Sequence, residues 1–232
     1  MGWMRRPAAG TAAATAAVLA LSGCGLVARF GSDGPASTGS SAAASAAAPS
    51  APDGPGQAPA SAPAGTTVVE AGRARIRFAV PESWEVVDFT DLLEQADADE
   101  LEAAADGMNL TAGQFRAAAS NTDLGVFGPP TADFAPNINV QLSPVEEVPS
   151  AEQMRTGLTT IGADVQDVLD VTTPLGPGRV TVYRLDVAGT TAYGRQLGVK
   201  GPGGVALITV SHGDAEQAER VEQVLRSTLT GS

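Results

Sequence analysis

The most reactive side chain in this sequence belongs to a single cysteine near the N-terminus. Cys24 is the only cysteine among 232 residues, and its thiolate would be the strongest nucleophile that the chain can offer. Leu21, Ser22 and Gly23 stand directly before it. A lone cysteine forms no disulfide within the chain, so the folded part must be held together by packing alone. The surroundings of Cys24 therefore decide what chemistry its thiol undergoes.

The segment before this cysteine has the three-part layout of a secretory signal. Arg5 and Arg6 provide a positive start, and residues 8–21 carry no charge. That uncharged run is short of the ~20 residues that span a bilayer. The four residues that end in Cys24 resemble the lipobox of bacterial lipoproteins. The resemblance implies that residues 1–23 are a lipoprotein signal peptide and that Cys24 becomes the lipidated first residue. An uncleaved signal anchor is the alternative.

Lipidation and net charge together limit the partners. Each buried CH₂ of an acyl chain such as palmitate contributes ~0.8 kcal/mol, so several chains anchor a protein firmly. The resemblance thus implies a cell-membrane location on the extracytoplasmic side, with the membrane as a partner through the N-terminal lipid. The net charge of −12 argues against a nucleic-acid partner, which needs clustered Lys and Arg. An envelope protein and an apolar ligand remain as candidate partners.

Few side chains in the sequence could organise a reaction or hold a metal. His212 is the only histidine, and the G-x-S-x-G pattern of many serine hydrolases is missing from the sequence. Zinc sites need several His or Cys ligands, which this chain lacks once its cysteine is lipidated. We therefore expect no catalytic residues, no metal site and no cofactor.

The most conspicuous polar feature is an acidic run at residues 82–106, which contains ten carboxylates and no basic side chain. A calcium loop of the EF-hand type starting at Asp97 would need Asp or Asn at its fifth position, where Leu101 stands. The simplest interpretation is a solvated helix face. A docking surface for a basic partner is the alternative.

Three aromatic residues are the candidates for a ligand-binding pocket between sheet and helix: Trp84, Phe127 and Tyr193. Trp84 follows Pro81 closely and could instead fill the core. Tyr193 and Tyr183 fall in neighbouring predicted strands, where they could pair across the sheet or form a pocket wall.

Residues 24–65 hold the lipidated cysteine and a tether. After Phe30 this segment consists largely of Ala, Ser, Pro and Gly, which offer little apolar surface to bury, so we expect it to be disordered. A flexible chain of this length spans about 35 Å on average. The tether would hold the globular domain, residues 66–232, away from the membrane.

The globular domain shows strand and helix patterns in a mixed order. Residues 66–80 alternate as a hairpin does, and residues 90–107 have a helical composition. Capping boxes at Thr111–Gln114 and Ser150–Gln153 open two further helices. Four strands and a last helix capped by Asp214 follow. The order predicts an α+β fold of mostly antiparallel sheet flanked by helices.

Several landmarks of the domain resemble the PsbP-like fold, and especially the actinobacterial lipoproteins of the LpqN/LpqT type. They are the P-x-x-W turn Pro81–Trp84, the NINV strand Asn137–Val140 and the final helix. The resemblance covers residues 66–230 and implies an α/β/α sandwich without catalytic residues. The long segment 90–121 departs from a compact member of the family.

These observations predict a lipid-anchored cell-envelope protein that acts as a non-enzymatic binding or assembly module. The alternative is a carrier of an apolar or lipid-like small molecule. A hydrolase that uses Asp or Glu is a third hypothesis, which no motif in the sequence supports.

Overall fold

Ten strands and five helices make up the described part of the chain, which covers residues 62–107, 111–131, 134–187 and 189–232 of a computed structural model. The strands are β1 (Thr66–Ala71), β2 (Ile76–Pro81), β3 (Glu85–Asp88), β4 (Thr122–Phe127), β5 (Asn137–Leu142), β6 (Asp164–Thr173), β7 (Gly176–Val187), β8 (Thr190–Gly201), β9 (Gly204–His212) and β10 (Thr230–Gly231). The helices are α1 (Phe89–Gln95), α2 (Ala98–Gly107), α3 (Ala112–Ser120), α4 (Ala151–Thr160) and α5 (Ala215–Thr228). The predictions for residues 1–61, including Cys24, lie outside the described residues.

The strands form two antiparallel sheets. The large sheet has seven strands in the order β3-β4-β5-β9-β8-β7-β6, and the small sheet has three in the order β1-β2-β10. The predicted α+β class with antiparallel sheet and flanking helices is confirmed. A separate small sheet was not predicted from the sequence. Its third strand, β10, has only two residues, which pair with Arg77 and Ile76, and so short a strand leaves no alternating pattern in the sequence.

One face of the large sheet, which we call the apolar face, packs against the small sheet and α5. It presents aliphatic side chains from successive strands, among them Val126, Ile138 and Val210. Phe78 from β2 and Leu225 from α5 join the same cluster and are fully buried. Burial of side chains of this size contributes ~1.5–3 kcal/mol each, so this layer is the main source of stability.

The turn between β1 and β2 is held against the large sheet by a buried carboxylate. The backbone N–H groups of Arg73 and Ala74 donate to the two oxygens of Asp123 at 3.2 and 2.8 Å. The carbonyl of Ala74 accepts from Gly203 at 3.0 Å in the turn between β8 and β9. Asp123 is 1% exposed, and these donors satisfy the charge that burial would otherwise penalise.

The helices on the other face of the large sheet form two groups. Helix α4 contacts β6 and β7, whereas α1 and α3 contact β4. Phe89 and Phe115 lie 6.2 Å apart between their ring centroids in the core beneath α1–α3. Both predicted capping boxes are confirmed at the starts of α3 and α4.

The single helical stretch predicted at residues 90–107 is divided into α1 and α2. Asp97 causes the division, because its side chain accepts hydrogen bonds from the backbone of Asp99 and Glu100. An aspartate in this role stabilises a new helix start and competes with continuation of the preceding helix. Within the described ranges, no helix is long and apolar enough to cross a membrane.

Candidate functional site

The second face of the large sheet carries a buried patch of polar side chains, which we call the polar floor. In the middle of the sheet, Thr181, Gln196, Thr209 and Asn139 are successive cross-strand partners on β7, β8, β9 and β5. Ser211 and Asn137 are partners in the neighbouring row. Directly paired residues point to the same face with Cβ atoms about 5 Å apart, so the six side chains form one continuous surface. All six are at most 2% exposed.

Much of the hydrogen-bonding capacity of the polar floor is unused by the described protein. Gln196 donates to Thr209 at 3.2 Å, and Asn137 donates to the carbonyl of Ala135 at 3.3 Å. Both polar atoms of the Asn139 side chain lack a partner, as do Asn137 Oδ1, Gln196 Oε1 and Thr181 Oγ1. A buried polar group without a partner costs ~1–3 kcal/mol, and native proteins hold few of them. Five such atoms are concentrated on this one surface, which makes the polar floor the candidate site.

Aromatic rings stand at both sides of the polar floor. Gly125, the cross-strand partner of Asn139, lies beneath the rings of Phe89 and Phe127. Gly194, the partner of Ser211, lies beneath the ring of Tyr183. A Cβ atom at either glycine would collide with the ring above it. The two glycines therefore let aromatic walls stand close beside the polar side chains.

The phenol of Tyr183 lies in an apolar environment. Tyr183 packs with Leu158 and Leu185 between α4 and β7. Burial raises the pKa of Tyr183 to about 12, and a hydrogen bond with the Ser211 side chain partly opposes this increase. The phenol therefore stays protonated at neutral pH and can act as a hydrogen-bond donor at the edge of the polar floor.

A cleft of about 640 Å³, which we call the end cleft, opens at the end of the sheet nearest to Asn137 and Ser211. Pro136 and His212, the chain neighbours of those two floor residues, line it. His212 accepts a hydrogen bond at Nδ1 from the backbone of Asp214 at 3.0 Å. Burial lowers the pKa of His212, although the charge of Asp214 partly opposes this. The imidazole is thus neutral at pH 7, with its proton on Nε2.

The structure places the three predicted ligand-binding aromatics on different surfaces. Phe127 borders the polar floor, where its ring lies over Gly125. Trp84 packs against the core of the apolar face. Tyr193 lines the end cleft, and it points away from the polar floor because its neighbour Gly194 faces the floor. They do not converge on one pocket, and their role in ligand binding stays a prediction.

Tyr183 and Tyr193 are not cross-strand partners. Tyr183 pairs with Gly194, whereas Tyr193 pairs with Arg184 on one side and His212 on the other. The two tyrosines therefore lie on opposite faces of the sheet. Of the two, Tyr183 contributes to the wall of the polar floor.

The polar floor was not among the predicted sites, although the sequence contained a signal for it. Asn137, Asn139 and Gln141 alternate with apolar residues in β5. Such alternation usually means that one face of a strand meets water. Only the three-dimensional structure shows that these polar side chains are buried.

The acidic run lies on exposed parts of α1, α2 and the segments around them. Asp99, Glu100 and Glu102 are exposed. Arg77, which could have paired with this run, contacts Glu70 within its own hairpin at 2.7 Å. In the described ranges, no group of three or more His, Cys, Asp or Glu side chains is arranged to hold a metal ion.

A second buried charged group lies beneath α5, where it meets side chains of opposite charge. The carboxylate of Glu222 is 1% exposed and contacts Arg226 at 2.7 Å and Arg195 at 3.4 Å. Two guanidinium groups compensate one buried carboxylate here. Ion pairing explains this cluster, although Glu222 Oε2 and Arg195 Nε have no hydrogen-bond partner among the described residues.

No family model matches the chain. No curated protein matches either. Several solved structures are similar at low identity. The solution structure of cyanobacterial PsbP (CyanoP) from Synechocystis sp. PCC 6803 has 10% identity and a TM-score of 0.46, over 76% of this chain and 98% of that chain.

The second similar structure is LpqN, involved in cell envelope biogenesis of Mycobacterium tuberculosis. It has 11% identity and a TM-score of 0.39, over 71% of this chain and 89% of that chain. The third is PA94 from Pseudomonas aeruginosa, a putative regulator of unknown function, with 11% identity and a TM-score of 0.32, over 68% of this chain and 91% of that chain. At this level of similarity, the function of these proteins says nothing about this chain, and the site is defined by its own geometry.

Proposed function

We propose that this protein is a lipid-anchored cell-envelope protein whose globular domain is a non-enzymatic binding module. The observation that supports the anchor is Cys24, placed after Leu21, Ser22 and Gly23 at the end of a short uncharged run. The anchor would fix the chain to the extracytoplasmic side of the cell membrane through buried acyl chains. The tether would let the domain reach ligands or envelope proteins some distance from the bilayer.

The anchor is tested by replacing Cys24 with Ala in cells grown with labelled palmitate. We expect the Cys24→Ala variant to lose the label and to leave the membrane fraction. Ser22→Ala keeps a small residue beside the cysteine and is the matched control, which should stay labelled and membrane-bound. A Cys24→Ala variant that remained in the membrane fraction would show that another segment holds the chain there.

The observation that supports a binding function is the set of unpartnered polar atoms on the polar floor. The side chain of Asn139 has both a donor and an acceptor that form no hydrogen bond with any described residue. A protein gains nothing in stability from such groups, since each one loses its hydrogen bonds to water on burial. Their presence is explained if they bind a polar ligand, because binding sites commonly retain groups that lower stability.

A carrier of a purely apolar molecule fits the polar floor poorly. An apolar ligand lying on Asn139 and Gln196 would leave their amide groups without partners. The energetic cost of those buried groups would then persist in the complex. A ligand with a polar group directed at the floor and an apolar part directed at the rings of Phe89 and Phe127 would satisfy both surfaces.

The acidic run favours an additional role as a docking surface for a basic envelope protein. Exposed carboxylates such as Asp99 and Glu102 attract a basic partner and accelerate its association. Crosslinking from this surface in cells, repeated at 50 and about 500 mM salt, tests the idea, because high salt screens exposed charges. A partner captured equally at both concentrations would contradict docking through the acidic run.

A further inference from the structure

The end cleft is large enough for a small molecule and is separate from the polar floor. Its volume of about 640 Å³ lies within the range of ~300–1,000 Å³ that is typical of ligand pockets. It forms where the segment before β5, the turn between β7 and β8, and the turn between β9 and α5 meet. Tyr193 and His212 line it and point away from the face that carries Gln196 and Ser211. A ligand in the end cleft therefore needs no access to the polar floor.

Two hydrogen-bond donors lie side by side in the wall of the end cleft. Tyr193 and His212 are direct cross-strand partners on β8 and β9, and the Cβ atoms of such partners lie about 5 Å apart on the same face. Nδ1 of His212 accepts the backbone N–H of Asp214, so the proton of the neutral ring lies on Nε2. The phenol hydroxyl and this N–H group can donate to one oxygen atom that has two lone pairs.

Other hydroxyl groups in the lining are used within the protein. Thr131 donates to the carbonyl of Phe134 at 2.8 Å, and Thr191 donates to the carboxylate of Asp186 at 2.6 Å. Tyr193 and His212 are thus the side chains best placed to recognise a polar group of a ligand. Because both are donors, the ligand group that complements them is an acceptor.

The charges around the end cleft favour a neutral ligand. Among the described lining residues, Asp214 alone carries a formal charge at pH 7, and its Oδ1 atom accepts from the backbone of Gln217 at 2.8 Å as the cap of α5. Arg220, whose charge acts on His212, pairs with Glu216 at 3.5 Å. An anion in the cleft would be repelled by Asp214, whereas a cation would meet the positive end of the α5 dipole. A neutral ligand avoids both penalties.

Apolar surfaces complete the wall of the end cleft. Phe134, Pro136 and the ring of Tyr193 contribute them. Phe134 also packs against Ala192 in a small core cluster, which fixes its position. A flat apolar ring that lies against these surfaces gains free energy by leaving water and by contact with the aromatic side chains.

We propose that the end cleft binds a neutral aromatic carbonyl compound. The carbonyl oxygen accepts hydrogen bonds from the Tyr193 hydroxyl and from Nε2 of His212, and the ring lies against Phe134 and Pro136. A carbonyl group satisfies the two donors without needing an acceptor in return, whereas a hydroxyl group would bring a donor of its own. This site goes beyond the proposed function, because it depends neither on the lipid anchor nor on the polar floor.

The test uses the full chain in micelles of a polyoxyethylene detergent, which contains no carbonyl group, and dialysis fixes the probe concentration in the aqueous phase. Acetophenone is the probe. Ethylbenzene has the same ring and a similar size without the oxygen, and benzoate carries a negative charge. His212 is the only histidine of the sequence, so its ring signals in NMR spectra report binding without overlap. We expect acetophenone to shift the signals of His212 and Tyr193 and to bind about tenfold more tightly than either comparator.

Two variants locate the binding. Tyr193→Phe keeps the ring and removes only the hydroxyl, and we expect it to weaken acetophenone binding about fivefold. Thr172→Val is the control, because it removes an exposed hydroxyl at the other end of the sheet, beside the turn between β6 and β7. It should change the affinity less than twofold. If Tyr193→Phe fails to fold, the shift of the His212 signals in the wild-type chain still decides the question.

The outcomes test each part of the proposal. Shifts of both rings by acetophenone, with weaker binding of the comparators, support it. Ethylbenzene that bound as tightly as acetophenone, or an unchanged affinity in Tyr193→Phe, would show that the oxygen is not recognised and would overturn it. Benzoate that bound as tightly, or an absence of shifts with acetophenone, would overturn it as well. None of these results concerns Cys24 or the polar floor, so failure here leaves the proposed function in place.

Discussion

The two faces of the large sheet are built from the same strands but differ in how completely their side chains are satisfied. On the apolar face, residues such as Ile138 and Val210 meet α5 and the small sheet in a continuous core. On the polar face, the neighbouring residues Asn137 and Ser211 are equally buried, yet Asn137 retains an unpartnered atom. A strand alternates its side chains between the two faces, so one sequence supplies both surfaces.

Burial alone therefore does not show which side chains stabilise the fold. The side chains of Ile138 and Asn139 are adjacent in β5 and both at most 1% exposed. The first gains free energy by leaving water, whereas the second loses hydrogen bonds to water without replacement. We therefore expect substitutions on the two faces to change stability in opposite directions.

The largest effect on stability should come from the core between the apolar face and the small sheet. Phe78→Ala removes a fully buried ring from the core and should lower the free energy of unfolding by ~3–5 kcal/mol, because it leaves a cavity. Denaturant titration measures this change. Val68→Ala, at a half-exposed position of the same hairpin, is the control and should cost less than about 1 kcal/mol. A small loss in Phe78→Ala would mean that this core is loosely packed.

The second-largest effect should be a loss of stability at alkaline pH, caused by Tyr183 in the wall of the polar floor. The pKa of Tyr183 is about 12 in the folded chain and ~10 in the unfolded chain. Stability is unaffected below pH 10, and between pH 10 and 12 it falls by ~1.4 kcal/mol per pH unit, since only the unfolded chain releases this proton.

Unfolding titrations at pH 9 to 11.5 check this prediction. Tyr183→Phe should remove part of the alkaline loss, whereas Tyr193→Phe should keep it because Tyr183 is still present. Equal alkaline loss in wild type and Tyr183→Phe would contradict the buried, protonated phenol.

The smallest effect on stability should come from His212 in the end cleft. Burial lowers the pKa of His212 below 6.5, its ordinary value. At higher pH the imidazole is neutral in both states. As the pH falls below 6.5, the unfolded chain takes up this proton first, so stability decreases.

His212→Asn is the matched variant, because an Asn side-chain oxygen can accept the backbone N–H of Asp214 as Nδ1 does. Thermal unfolding at pH 5 and 7.5 should show a smaller acid-induced loss in this variant than in the wild type. An identical loss would show that other groups cause the acid sensitivity.

The helix starts and turns of the domain could be predicted because residues that are close together in the chain determine them. Thr111–Gln114 and Ser150–Gln153 form capping boxes whose partners lie three residues apart, and both begin helices as expected. The turn at Gly201–Gly204 joins β8 and β9, and Asp214 caps α5. Each of these features depends on neighbours in the chain and needs no knowledge of the tertiary fold.

The candidate site was not predictable, because it depends on which strands pair and in which register. Trp84 and Phe127 are close in space but belong to opposite faces, and only the pairing of β3 with β4 reveals this. Asn139 joins Gln196 through β9, which lies some 60 residues further along the chain than β5. A one-residue change of register would have moved these side chains to the other face.

The stability of Asn139→Leu tests the central claim most directly, because it requires no knowledge of the ligand. If the polar floor is a binding surface, the variant loses only unpartnered groups and gains apolar burial. Its free energy of unfolding should then equal or exceed that of the wild type, by up to about 1 kcal/mol. A loss of about 1 kcal/mol or more would show that Asn139 stabilises the fold, and the distinction between the two faces would be wrong.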